Sequence, residues 1–255
     1  MRSQADCSAE NRDLASNSYR TDLYLSYMNN FPGTAAALEA GQLTLPAANL
    51  PGADAGASLR LRVRLQGSPQ QQQRLLDLRS LFTEACNALA PMVQQTRCWN
   101  SVALHHMAYK PLRERFPQLG SQMACNVIYS VSRAARRVYQ HPSSPYNVAR
   151  GGERPLPVLR FSGPVPVYFD RHTLSLKKGE VSLFTQDGRM RFKVDLSRET
   201  ERRFREDKLR EVVLAQVADG TWALTFDFAP AQSSDPLATD ADWPEYLVVS
   251  APPET

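Results

Sequence analysis

No stretch of this 255-residue chain is an apolar run of the roughly 18 residues that a membrane-spanning helix needs. The opening MRSQADCSAENRD is polar and has no apolar core of a secretory signal, so a cytoplasmic protein is expected. The four cysteines, Cys7, Cys86, Cys98 and Cys125, form no CxxC pair, and their spacing suggests neither a disulfide frame nor a zinc knuckle. Cys86 and Cys125 stand beside alanines in helical apolar patterns and are expected to be buried free thiols. There is no P-loop, GxSxG, HExxH or GxGxxG motif. His105 and His106 are adjacent, so on a helix they diverge by about 100° and read as packed side chains rather than as ligands to one metal. No catalytic centre and no intrinsic cofactor or metal is expected.

Acid is also missing, but only locally. The net charge of +4 conceals three blocks. Residues 1–58 carry three basic and six acidic side chains; residues 59–210 carry 27 and 12; residues 211–255 carry none and eight. A central block with a net charge of +15, mostly arginine, is the electrostatic footprint of a phosphate-binding surface. An ordinary solvated basic face is the bland alternative.

Within the block the arginines are patterned. Leu59 to Leu65 reads LRLRVRL, with leucines and valine on one face and Arg60, Arg62 and Arg64 on the other. Strict alternation is the mark of a half-buried strand, and it places the arginines about 7 Å apart. An edge strand protected by charge would look the same. SPQQQQRLLDL then opens a helix, with Ser68 as N-cap, Pro69 in the first turn and Gln71 closing a capping box. A second helix is expected from Asn100 or Ser101 to Pro117, and a third from Ser121 to Gln140. On the third, Ala124, Val127, Ile128, Val131, Ala135 and Val138 form an apolar stripe, while Gln122, Asn126, Ser130, Arg133 and Arg137 form a polar one. No acid occurs between Glu114 and Glu153. Amides and arginines without acids suit phosphates and base edges, so Gln122, Asn126, Arg133, Arg136 and Arg137 are candidate nucleic-acid contacts.

Strands are expected at Val158–Phe161, Val165–Phe169, Thr173–Leu176, Val181–Thr185, Met190–Val194, Glu211–Val217 and Trp222–Phe228. KKGE, QDGR and ADGT supply the turns. Arg189, Arg191 and Lys193 alternate along one of these strands. SRETERRFRED at 197–207 reads as a short helix that exposes Arg198, Arg202, Arg203 and Arg205, and Arg202 is the candidate contact there. A lone strand at 59–65 is unstable by itself, so it must pair with the later strands across the helices. The expected fold is α+β: an antiparallel β-barrel with an inserted helical bundle. Its expected parts are an N-terminal extension (1–58) with a possible docking segment, TDLYLSYMNNF; a first strand (59–66); the helical insertion (67–150); the remaining barrel (151–230); and an acidic tail (231–255).

Four segments carry a resemblance to a known family: LRLRVRLQGSPQQQQRLLDL, ACNALA, LHHMAYKPLRERFPQLGSQMACNVIYSVSRAARRVY and RFSGPVPVYFDRHTLSLKKGEVSLFTQDGRMRF. From about Leu59 to Phe228 the chain resembles the N-terminal half of the TnpB family, transposon-encoded RNA-guided DNA nucleases related to type V CRISPR effectors. The resemblance implies an oligonucleotide-binding-like wedge barrel interrupted by a helical recognition bundle. It also implies a guide RNA and a target DNA as partners, and a prokaryotic, nucleoid-associated setting. The family's RuvC-like nuclease should follow Phe228, with a GxDxG-like strand, further acids and a zinc ribbon. This sequence has none of these, so nuclease activity is not carried over. The expectation is a nuclease-free RNA-guided DNA binder or effector subunit. The alternative is the binding half of a split nuclease whose RuvC-like domain is a separate chain.

Overall fold

The computed structural model of the chain describes residues 59–151, 155–228 and 244–250. The extension at 1–58, with its proposed docking segment, lies outside these residues. The described chain is α+β. It comprises β1 (Leu59–Leu65), α1 (Pro69–Thr96), α2 (Ser101–Arg115), α3 (Ser121–Tyr139) and a single turn, α4 (Val148–Gly151). The later elements are β2 (Val158–Phe161), β3 (Val167–Phe169), β4 (Leu174–Lys177), β5 (Glu180–Thr185), β6 (Gly188–Lys193), α5 (Arg198–Glu206), β7 (Leu209–Gln216), β8 (Trp222–Phe228) and β9 (Leu247–Ser250). None of the described helices is long and apolar enough to cross a membrane.

Local chemistry sets the helix starts. The Ser68 hydroxyl accepts from the Gln71 backbone N–H, and the Gln71 side chain accepts in turn from Ser68 N, at 3.3 and 2.9 Å. Two of the four orphan donors of the first turn are satisfied in this way. The Asn100 side chain does the same for α2, accepting from Val102 and Ala103 N–H. Helix α3 has no side-chain cap. It starts at Gly120, whose φ of 60° is a left-handed value. A Cβ at Gly120 would stand 2.9 Å from the Phe184 ring, so glycine is needed twice over.

The isolated strand finds its partner across the helices. β1 pairs antiparallel with β8, from Leu59 opposite Phe228 to Leu65 opposite Trp222. The four-stranded sheet runs β1-β8-β7-β3; β4-β5-β6 form a second sheet, and β2-β9 a two-stranded third. These are separate sheets, and the described strands do not close into a barrel. β3 begins at Val167 rather than Val165 because Pro164 and Pro166 cannot donate to a ladder.

Helices and sheets share one hydrophobic core, which joins Leu75, Phe82 and Ile128 of the helices to Phe161, Phe169, Leu183 and Phe226 of the strands. The helical block is therefore not a free-standing bundle. Helix α1 holds β2 directly: the Asn87 side chain donates to Phe161 O and accepts from Phe161 N, and Gln94 donates to Leu156 O.

Two expectations are corrected. Leu247–Ser250, placed in the acidic tail, is a strand paired with β2, and Leu247 belongs to the core. Val248 and Val249 alternate like any half-covered strand, a signal hidden by the surrounding prolines and acids. Cys86 and Cys125 are buried free thiols as expected, but Cys98 is disulfide-bonded, which its spacing did not suggest.

Candidate nucleic-acid interface

The candidate residues separate into three groups. On β1, alternation keeps Val63 and Leu65 buried and exposes Arg60, Arg62 and Arg64. Arg60 lies 4.0 Å from the buried Asp227 carboxylate, directly opposite on β8. Arg64 donates to Asp219 at 3.0 Å. Arg62 faces Thr225 and makes no ion pair among the described residues.

The polar stripe of α3 is not a surface. Fourteen of the helix's 19 residues are buried, because α3 packs on α1, α2 and β3 at once. Asn126 is 5% exposed, and its amide donates to Tyr168 O at 2.9 Å. Arg133 reaches through the core to Glu211 on β7, with N–O 2.7 Å, and its guanidinium lies over the Tyr168 ring at 5.6 Å. Tyr129 donates to the same carboxylate at 3.5 Å. Gln122 is half-buried, and its amide nitrogen finds no hydrogen-bond partner among the described residues. Arg136 and Arg137 are half-buried at the helix's end.

As nucleic-acid contacts, Asn126 and Arg133 are therefore corrected: their polar atoms are already engaged inside the molecule. The stripe was legible, but its partner is a sheet edge carrying acid. Glu211 lies 78 residues from Arg133, beyond any local pattern. Glu211 and Asp227 are also cross-strand neighbours, so two carboxylates share one buried face with Arg133 and Arg60 around them. Burial pushes the Glu211 carboxyl above the ordinary carboxylate range; Arg133 pulls it back, and Asp227 adds to the rise. Burial opposes the charge of Arg133, but Tyr168 and Glu211 outweigh it, and the guanidinium stays protonated. Desolvation likewise raises the Tyr129 and Tyr168 hydroxyls, so both are neutral: Tyr129 donates to Glu211, and Tyr168 accepts from Arg133.

The third group lies on the β4-β5-β6 sheet. The buried face carries Leu174, Leu176, Val181, Leu183, Met190 and Phe192. Register places Lys177, Glu180 and Lys193 in one row across the outer face, and Ser175, the buried Ser182 and Arg191 in the next. Lys177, Arg189, Arg191 and Lys193 are exposed. Arg191 approaches Glu180 at 3.5 Å with its own side chain 71% exposed, and Arg189 donates to the carbonyls of Ser182 and His172. The KKGE turn itself brings Lys177 into the row: Lys178 and Gly179, both at positive φ, set Lys177 opposite Glu180.

On α5, Arg202 is bracketed by Glu199 at 2.7 Å and Glu206 at 3.2 Å. It is exposed but locally neutralised. The Arg202 and Arg203 hydrogen bonds hold the Glu199 carboxyl below the ordinary carboxylate range. His105 stacks on Tyr109 at 4.8 Å, and burial, with His106 beside it, lowers its basicity. No group of three or more His, Cys, Asp or Glu side chains among the described residues is arranged to hold a metal ion. Cationic side chains on two sheet surfaces are thus what the site offers: chemistry suited to binding anions. A search of protein-family models finds no match for the chain, and no curated protein matches it significantly.

Proposed function

We propose that the chain is a nuclease-free, RNA-guided DNA-binding protein, or a subunit of an RNA-guided effector, that holds a guide RNA and a target DNA. The observation that carries nucleic-acid binding is the set of exposed cations aligned on β1 and on β4-β5-β6, with Glu180 the acid in register among the latter. The guide RNA rests on the TnpB resemblance. In this reading β1 and its sheet correspond to an oligonucleotide-binding-like wedge, and α1–α3 to recognition helices inserted after its first strand. The order strand, helices, strands supports that reading, as does the pairing of β1 with β8 across the insertion. Base pairing would read sequence, and the protein would read backbone shape.

The test is to isolate the chain from its native cell and sequence the RNA that accompanies it. Binding of DNA complementary to that RNA is then measured with and without magnesium. The expected result is one dominant RNA species, RNA-dependent binding of matched DNA, and no cleavage by this chain alone. Recovery of no RNA, or DNA binding indifferent to it, overturns the reading. Metal-dependent cleavage lost on mutating an acid of this chain overturns the nuclease-free assignment.

A further inference from the structure

The outer face of β4-β5-β6 differs from a single-strand binding surface in one respect. Surfaces that hold unpaired strands combine cations with exposed aromatic rings on which bases stack. Among the described residues no Phe, Tyr or Trp is exposed; the face's own aromatic, Phe184, is half-buried and packed against Gly120. The face presents Lys177, Arg189, Arg191 and Lys193 around Glu180, with Glu201 of α5 bonded to the Gly179 N–H at its edge, Ser175 half-exposed and Ser182 buried in the adjoining row. No exposed aromatic ring there offers a stacking platform for a base, and α3, which carries the Asn126 amide, is largely buried.

Shape narrows the partner further. Three strands span about 10 Å between their outer backbones before side chains are added. The major groove of B-DNA is about 12 Å wide and admits a helix or a two-stranded ribbon. A three-stranded sheet lies on a surface instead. A-form RNA offers such a surface: a wide, shallow minor groove lined with 2′-hydroxyls and flanked by phosphates. Cations at about 7 Å along β6 and about 10 Å across the sheet, from Lys177 to Lys193, meet phosphates, and a serine hydroxyl can exchange hydrogen bonds with a 2′-OH.

We infer that the outer face of β4-β5-β6 docks on the backbone of double-helical RNA, without reading its sequence, through Lys177, Arg189, Arg191 and Lys193. This rests on the proposed nucleic-acid function and specifies the pairing state and chemistry of the ligand.

The test uses the full chain and measures affinity by fluorescence anisotropy. The probes are an RNA duplex, an unpaired uridine strand of equal length and a DNA duplex, from about 50 to about 200 mM salt. The wild type should prefer the RNA duplex to both others. The K177E/K193E variant, with both changes on exposed side chains and folding checked by circular dichroism, should weaken duplex RNA binding by about tenfold or more and reduce the salt slope by about 2. R62E/R64E on β1 serves as the comparison. Loss in that variant, with K177E/K193E unchanged, overturns the face while leaving nucleic-acid binding in place. Equal or tighter binding of the unpaired strand overturns the pairing state, and equal binding of the DNA duplex overturns the choice of RNA. Failure of the wild type to bind any of the three overturns the nucleic-acid reading itself.

Discussion

Helix α3 and the β4-β5-β6 sheet carry the same kinds of side chain and use them in opposite ways. Both look basic and acid-poor along the sequence. On α3 the arginine and amide turn inward, where Glu211 and the Tyr168 carbonyl satisfy them. On the sheet the cations stay in water because the alternate residues, Val181, Leu183, Met190 and Phe192, fill the core. A strand has two faces, and on β6, at the sheet's edge, burying one leaves Arg189, Arg191 and Lys193 of the other exposed. A helix packed on three sides has no such remainder. Polar residues on it must find internal partners or carry the cost of desolvation.

The strongest way to break this comparison is at Arg133. Replacing it with methionine leaves Glu211 buried beside Asp227 without its guanidinium. Breaking a buried pair from one side costs about 3–5 kcal/mol, so urea denaturation should show a loss of that order. The double variant R133M/E211Q removes the unpaired charge and should recover most of it. If R133M unfolds at the wild-type midpoint and instead weakens nucleic-acid binding, the helix faces its ligand and the comparison fails.

A smaller loss is expected at Asn126. Its amide supplies a hydrogen bond to the Tyr168 carbonyl in a place water does not reach. Asn126→Ala leaves that carbonyl short of a partner, at a cost of about 1–3 kcal/mol. Thermal unfolding measures it. No change would mean that the carbonyl is otherwise satisfied.

Glu211 sharpens the comparison through pH. Its carboxyl is raised above the ordinary range when folded, first by burial. The folded state therefore binds the proton more tightly than the unfolded chain does. The stability this contributes is full below the ordinary carboxylate range and is lost as pH rises through the folded value. Stability measured upward from the ordinary carboxylate range should fall in the wild type and fall less in R133M/E211Q, which has no carboxyl at 211. Parallel slopes in the two proteins would show that Glu211 is not titrating there.

How much of this was legible in sequence depended on distance along the chain. The capping box at Ser68 and Gln71, the alternation of LRLRVRL and the Asp-Gly turn at 187–188 are local, and each appears where its chemistry predicted. The need of a lone strand for a partner was enough to foresee that β1 pairs with a later strand. What was illegible was non-local. Nothing near Arg133 reveals an acid on β7, and an apolar stripe that shows one side of α3 packed does not show that the other side is packed too. The strand at Leu247 was obscured by its surroundings, since its partner β2 lies some 90 residues earlier.

The smallest expected effects lie among the exposed arginines and compare Arg62 with Arg202. Both are on the surface and both were candidate contacts. Arg62 faces Thr225 and has no acid within ion-pair distance among the described residues, so its charge is fully available to a phosphate. Arg202 is held between Glu199 and Glu206, and a phosphate approaching it also approaches two carboxylates. Arg62→Ala should leave stability within about 0.5 kcal/mol of wild type, as for most surface changes, and lower the salt slope of nucleic-acid binding by about 1. Arg202→Ala should leave both the thermal midpoint and the slope unchanged, since its charge is engaged by Glu199 and Glu206 rather than by a phosphate. Binding titrations of the two variants at several salt concentrations decide the matter. An equal reduction in slope for both would mean that local ion pairs do not withhold an arginine from its ligand. Arg64, paired with Asp219, would then be as effective a contact as Arg62.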